Sequence, residues 1–139
     1  MSREGQPMAM LPFDAALSVR WRDLDAFGHV NNAQFLSFAE EARLQWMQAL
    51  DGHGIYPEAS PEVAAIQMNY RAQLHWPEDL VITLTAERVG TTSLTVGHRI
   101  AAASDASRVY ADGHAVVVWI GPEGRPVPLP RPVREAVGG

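Results

Sequence analysis

From Val19 to Arg43 the chain reads VRWRDLDAFGHVNNAQFLSFAEEAR, and most residues able to act together chemically lie in this stretch. Asp23 and Asp25 can serve as nucleophile, base or acid. His29 could orient substrate or water, or serve as a structural hydrogen-bonder in the turn. Gly28 admits a positive φ or a close backbone approach. Just beyond them, Phe35, Phe38, Ala39, Ala42, Trp46 and Leu50 recur at spacings of three and four, which predicts an amphipathic helix with a wide, mostly buried apolar face. Asn31 or Asn32 can cap its start. The first N–H groups of a helix have no acceptor of their own, and the positive end of the helix dipole adds to them, so this point can hold an anion or oxyanion. A carboxylate beside such a helix start suits acyl transfer. The same spacing also fits a plainer role, since an Asp ahead of a helix often only caps it or pairs with its dipole.

The surrounding elements follow from period and punctuation. Leu17, Val19 and Trp21 alternate with Ser18, Arg20 and Arg22, which predicts a half-buried strand over 15–22. Residues 51–62 read as a loop after the helix, with Gly52 and Gly54 as its stop. Strand patterns follow at 63–76, 79–89, 93–104 and 107–120, punctuated at Gly90, Asp105 and Gly121. A short helical piece is expected at 133–137. Short links between long strands favour antiparallel neighbours, and the one long helix is the only large element able to cover the sheet's apolar face. The expected class is therefore α+β: a five-stranded antiparallel sheet wrapped around one long central helix. Residues 1–13 are expected to be a loose arm and residues 14–139 a single domain, which suits a 139-residue chain.

Composition narrows the chemistry. The net charge of -5 argues against broad nucleic-acid binding. There is no cysteine, so disulfides, thiolate nucleophiles and thiolate metal sites are excluded. His53, His75, His98 and His114 show no ligand spacing, and no metal is expected. No stretch approaches a membrane span and residues 1–14 lack a signal-peptide core, so the expected location is the cytoplasm. No G-x-S-x-G elbow and no nucleotide fingerprint is present.

The run D-L-D-A-F-G-H-V-N-N-A-Q-F-L, with E-E-A-R on the helix, resembles the signature of the 4-hydroxybenzoyl-CoA thioesterase-like hotdog family. It is most similar to the bacterial D-x-D-x-x-G-H-V-N-N branch, which includes medium- and long-chain acyl-CoA thioesterases. The resemblance is dense over about 25 residues and extends, more weakly, to the closing G-R-P-V-P-L-P. It implies hydrolysis of an acyl-CoA to free acid and CoA. Asp25 would be the catalytic carboxylate, as nucleophile or base, and the Asn32 backbone N–H the oxyanion donor. Gly28 and His29 would complete the catalytic turn, with His29 orienting substrate or water. Asn31 would contact substrate, and Thr91, Thr92 and Ser93 would help hold the CoA moiety. Other branches carry His or Tyr where Asn31 and Asn32 stand, which argues against an aromatic substrate more than against hydrolysis.

Several residues have assigned alternatives. Asp23 is expected to hold the turn by hydrogen bonding, and Arg43 to pair with a motif carboxylate. Glu41 is the fallback catalytic group, because another hotdog branch draws its carboxylate from this helix. Arg88, Arg71 or Arg99 could contact phosphate. Phe35, Leu36, Phe38, Trp46 and Met47 could line an acyl pocket or be plain core. No cofactor is expected, since coenzyme A enters as part of the substrate. The resemblance further implies a homo-oligomer, dimer or tetramer, with sheets joined edge to edge and sites between protomers. Hydrolysis of acyl groups on a carrier protein and non-catalytic acyl-CoA binding are the alternative functions.

Overall fold

In the computed structural model, which describes residues 9–138, alternation and helical spacing become five strands and one long helix. Strand β1 (Phe13–Ser18) leads through a 3-10 turn (Trp21–Asp23) to helix α1 (Asn32–Ala49). A second 3-10 turn (Asp51–Gly54) follows, then β2 (Ser60–Tyr70), β3 (Asp79–Val89), β4 (Ser93–Ala102), β5 (Asp105–Ile120) and the short α2 (Arg131–Ala136). The strands form one antiparallel sheet in the order β1-β3-β4-β5-β2. This is the hotdog fold: a sheet curled around a central helix.

The helix buries Phe35, Phe38, Ala39, Ala42 and Trp46. Against them stand the alternate residues of the sheet: Leu80, Ile82 and Leu84 on β3, Leu94, Val96 and Ile100 on β4, and Ala115, Val117 and Trp119 on β5. Removing each large side chain from water contributes about 2 kcal/mol, so this face dominates the fold's stability. Phe35, Phe38 and Trp46 are therefore core, whereas Leu36 is exposed and Met47 sits at the edge of a cavity.

The first strand runs Phe13–Ser18 rather than 15–22, and Trp21, expected on its buried side, lies exposed in the 3-10 turn that follows; two further stretches also differ from expectation. The second strand runs Ser60–Tyr70 rather than 63–76, because pairing with β5 from Ile120 to Ala111 sets its length. The expected loose arm is held down from Ala9 onward: the Trp46 indole N–H donates to the Ala9 carbonyl at 2.6 Å, and the Leu11 N–H to the Ala136 carbonyl at 3.0 Å. The rest of that arm, residues 1–8, lies outside the described residues.

β2 stands apart from its neighbours. It is an edge strand, hydrogen-bonded to β5 on one side only, and most of its residues are exposed. Val63, Ile66 and Tyr70 remain exposed, Val63 at 48%.

Candidate active site

The loop from β1 to α1 is a small hairpin. Leu24 bridges Val30, the Asp25 N–H donates to the His29 carbonyl at 3.0 Å, and the Gly28 N–H donates to the Asp25 carbonyl at 3.1 Å. Gly28 turns the chain at φ 86°, a conformation that disfavours a side chain. A Cβ there would meet nothing within 4 Å, so conformation rather than crowding explains this glycine.

Asp25 is half-buried on this hairpin. One carboxylate oxygen accepts the Phe27 N–H at 2.8 Å, which orients the group. Its other oxygen accepts no hydrogen bond among the described residues.

Asp23 is spent differently. It is 1% exposed, and its carboxylate accepts the Arg20 N–H at 2.8 Å and the Gln34 side-chain amide at 2.6 Å, with the Arg20 guanidinium at 3.4 Å. Burial pushes its carboxyl up, but the bonds from Arg20 and Gln34 outweigh that and hold it below the ordinary range. Its carbonyl also accepts the Asn31 N–H at 3.1 Å. Asp23 therefore ties the loop to the first turn of α1, the turn-holding role expected of it. Gln34 was not foreseen, because an amide on the polar side of a helix gives no signal of a partner eleven residues earlier.

The helix start is capped by Asn31, whose side chain accepts the Ala33 N–H at 2.8 Å. The Asn32 N–H donates to no group among the described residues. One N–H at the positive end of α1 is thus left free, at the position the motif indicated. Tyr70, at the end of β2, donates from its hydroxyl to the Asn32 carbonyl at 3.1 Å and packs edge-on against Phe35. It clamps the same turn from the sheet side. Nothing in the sequence marked Tyr70, which falls mid-strand in the expected 63–76 span and ends β2 only in the structure.

A cavity of 220 Å³ opens here, lined by His29, Asn32, Phe35, Tyr70, Arg71 and Leu74 among others. His29 and Asn32 therefore share one wall. Asp25 is not in the wall but at the root of the hairpin that carries His29 into it. The His29 ring lies 6.2 Å from His75, edge-on, and 6.3 Å from Phe27, stacked.

The other assigned residues lie elsewhere. Thr91, Thr92 and Ser93 form the β3–β4 turn. Ser93 registers with Val118 of β5, whereas Tyr70, beside the helix start, registers with Ala111. Seven residues of strand at about 3.3 Å each put them roughly 23 Å apart along the sheet. Within one chain, then, this turn and Asn32 are at opposite ends. The carbonyls of Gly90 and Thr91 accept from the Arg134 guanidinium, and the Thr92 carbonyl accepts the Trp119 N–H at 3.0 Å. Arg71 is committed to Asp112 at 3.0 Å and Arg99 to the Ala106 carbonyl at 2.6 Å; Arg88 makes no such bond among the described residues. Glu40 and Glu41 are exposed on α1.

Arg43 corrects an expectation. It pairs with no motif carboxylate and makes no ion pair or hydrogen bond among the described residues, though it is only 6% exposed. The Asp23 carboxylate that could have met it is filled by Arg20 and Gln34 at the other end of the loop.

Comparison with known proteins bears on this arrangement. The model of the thioesterase-like superfamily matches residues 19–137. A solved structure from Xanthomonas campestris, XC229, proposed as an acyl-CoA thioesterase, is 42% identical and superposes with a TM-score of 0.78, covering 85% of this chain and 98% of that one. PA2801 of Pseudomonas aeruginosa, proposed as a thioesterase, is 34% identical with a TM-score of 0.84, covering 90% of this chain and 97% of that one. Among curated sequences, YsmA of Bacillus subtilis strain 168 is 32% identical over 80 residues, which are 58% of this chain and 54% of YsmA. The chain thus spans about half the length of that curated relative.

Proposed function

The chain belongs to the thioesterase-like superfamily, a family of thioester hydrolases, and on that premise we propose that it hydrolyses acyl-CoA thioesters to a carboxylic acid and CoA with Asp25 as the reacting carboxylate. The observation that carries this reading is the pairing of one free helix-start N–H, on Asn32, with a neighbouring hairpin that presents an Asp25 oxygen without a hydrogen-bond partner. The thioester carbonyl oxygen would point at the Asn32 N–H, where the helix dipole stabilises developing negative charge. The free Asp25 oxygen would attack the carbonyl carbon. The C–S bond then breaks, CoA leaves as thiolate and takes a proton from solvent, and water hydrolyses the acyl-aspartyl anhydride to release the acid and restore Asp25. A base-assisted attack by water uses the same two groups. Single turnovers in oxygen-18 water separate the routes: label entering Asp25 supports the anhydride, and none supports the base.

Asp25 stands outside the cavity wall of a single chain, and the turn at residues 91–93 lies at the far end of the sheet. Both facts favour a site shared between two copies. We therefore propose a homodimer in which β2 pairs antiparallel with β2 of a second copy. This would satisfy the open edge of β2. It would also bring the residues 91–93 end of one copy beside the Asn32 end of the other, so that Asn31, Thr91, Thr92 and Ser93 could act on one acyl-CoA. A further pairing into tetramers is part of the proposal. The lack of cysteine fits the reducing cytoplasm, which we propose as its location.

The test is CoA release from acetyl- to palmitoyl-CoA and benzoyl-CoA by wild type and Asp25→Asn, with molar mass by light scattering. Turnover that Asp25→Asn abolishes supports the reading. Equal activity of the two proteins would overturn the assignment of Asp25 and move attention to Glu41. Binding without turnover would favour a binding module, and turnover of acyl carrier protein alone would favour that donor.

A further inference from the structure

The surface between α1 and β2 is an open groove with a cavity at each end. One is the 220 Å³ cavity beside Asn32, walled by Phe35 and Tyr70. The other, of 100 Å³, is lined by Arg43, Leu44, Met47, Pro61, Val63 and Val117. Leu36 of α1 and Ile66 of β2, which fall between them in sequence, are exposed apolar residues. Arg43 lies eleven residues beyond Asn32 on α1, about 16 Å at about 1.5 Å per residue. That is within the reach of an extended acyl chain whose thioester sits at the helix start.

The far cavity carries two charged residues, Arg43 and Glu40, among apolar ones. Arg43 is 94% shielded, its Nη1 is fully buried without a partner, and the guanidinium forms no ion pair among the described residues. Glu40, one turn earlier, lines the mouth of the cavity but is exposed and beyond bonding distance. His98 lies on the core face of β4. Its Nε2 is 3.0 Å from the Gln67 carbonyl, and its Nδ1 is likewise buried without a partner. With Nε2–H donating to that carbonyl, Nδ1 is a bare acceptor and supplies no counter-charge. Burial, and to a lesser degree the neighbouring Arg43, push this imidazole below its ordinary value, against the raising effect of its bond to the Gln67 carbonyl. A guanidinium desolvated and left unpaired is costly, and unpaired buried groups in a folded protein call for an occupant.

We propose that the α1–β2 groove takes an acyl chain whose far end carries a carboxylate, and that Arg43 receives that carboxylate in the apolar cavity formed with Met47, Val63 and Val117. The substrate class is then the mono-CoA thioester of a medium-chain α,ω-dicarboxylic acid. The inference rests on the proposed hydrolysis for the placement of the thioester at Asn32, and it adds the identity of the other end. A planar guanidinium can grip a carboxylate through two parallel hydrogen bonds. The apolar walls exclude water, so an unsubstituted chain of the same length leaves the charge unpaired.

The test compares suberoyl-, sebacoyl- and dodecanedioyl-CoA with octanoyl-, decanoyl- and dodecanoyl-CoA. In wild type, kcat/KM for the carboxylated member of at least one pair should exceed that of its partner by about tenfold or more, the worth of one buried charge-assisted contact. Arg43→Met should bring that ratio below one, and Arg43→Lys should restore part of it. Binding of the same pairs to Asp25→Asn, measured calorimetrically, does not depend on turnover. Arg43-dependent preference in binding without any turnover would keep this inference and sink the hydrolysis. Preference for the plain chain at every length, in turnover and in binding, would overturn the inference and leave the hydrolysis standing. So would a ratio unchanged in Arg43→Met, or a dimer that dissociates in Arg43→Met with no change in the ratio, which would make Arg43 a contact to the second copy.

Discussion

The first turn of α1 and its middle handle polar groups in opposite ways. At the start, Asp23, Arg20, Gln34 and Asn31 are tied together by hydrogen bonds, and the Asn32 N–H and one Asp25 oxygen have no partner among the described residues. Those two are within reach of water, so leaving them free costs little, and they remain available as reagents. Arg43 in the middle of the helix and His98 of β4 are largely buried, and each keeps one buried nitrogen without a partner among the described residues. There the cost is larger, and the proposed carboxylate of a bound acyl chain would offset it at Arg43. A group left over at a wet surface is ready for chemistry. The same surplus in a dry interior points to a missing ligand.

Five measurements would break or sharpen this contrast. The largest effect is expected at Asp25, where Asp25→Asn should lower kcat by about 100- to 10,000-fold while the melting temperature stays near that of wild type. Activity within tenfold of wild type would remove Asp25 from the reaction. Asp23→Ala should act through the fold instead. It strands the Gln34 amide and the Arg20 N–H in a site that is 1% exposed, and should cost about 2–3 kcal/mol in urea unfolding. Because the Asp23 carboxyl is held low in the folded state, that stability is present above the unfolded value and is lost as pH falls toward the folded one.

Gly28→Ala places a side chain at φ 86°, and should cost about 1–2 kcal/mol with no clash to relieve. A neutral result in thermal unfolding would contradict the turn as described. His98 should show in the pH dependence. Above the ordinary imidazole value of 6.5 both states are neutral; below it the unfolded chain takes a proton that the folded one refuses. Stability should therefore fall as pH drops from 7 to 5, by at most about 1.4 kcal/mol per unit from this group. His98→Gln should flatten that slope, and an unchanged slope would show that His98 is not the titrating group. The smallest effect belongs to Asn32→Ala. Its donor is backbone, so kcat should change by no more than about threefold, against the roughly 100-fold expected for a lost oxyanion donor. A loss near 100-fold would mean the side chain takes part.

Much of this was legible in the chain itself, for a definite reason. Alternation and three-to-four spacing record which faces are dry, so β3, β4, β5 and α1 could be read to within a few residues. Asn31 as the cap and Asp23 as a turn-holder are local, made between residues close in sequence, and local bonds follow from residue type and spacing. The motif DLDAFGHVNN also marked where a carboxylate and a helix start come together.

What the chain could not express depends on distant partners. That β2 is an edge strand comes from the strand order, which periodicity does not encode. Tyr70 reaches the Asn32 carbonyl only because β2 ends beside the helix start. The turn at residues 91–93 is separated from Asn32 by the length of β5, although nothing in its composition distinguishes it from a contact nearby. Arg43 reads as one more charge on a helix beside two glutamates. Only the packed structure shows it desolvated and unpaired, because burial is a property of what surrounds a residue and not of the residue itself.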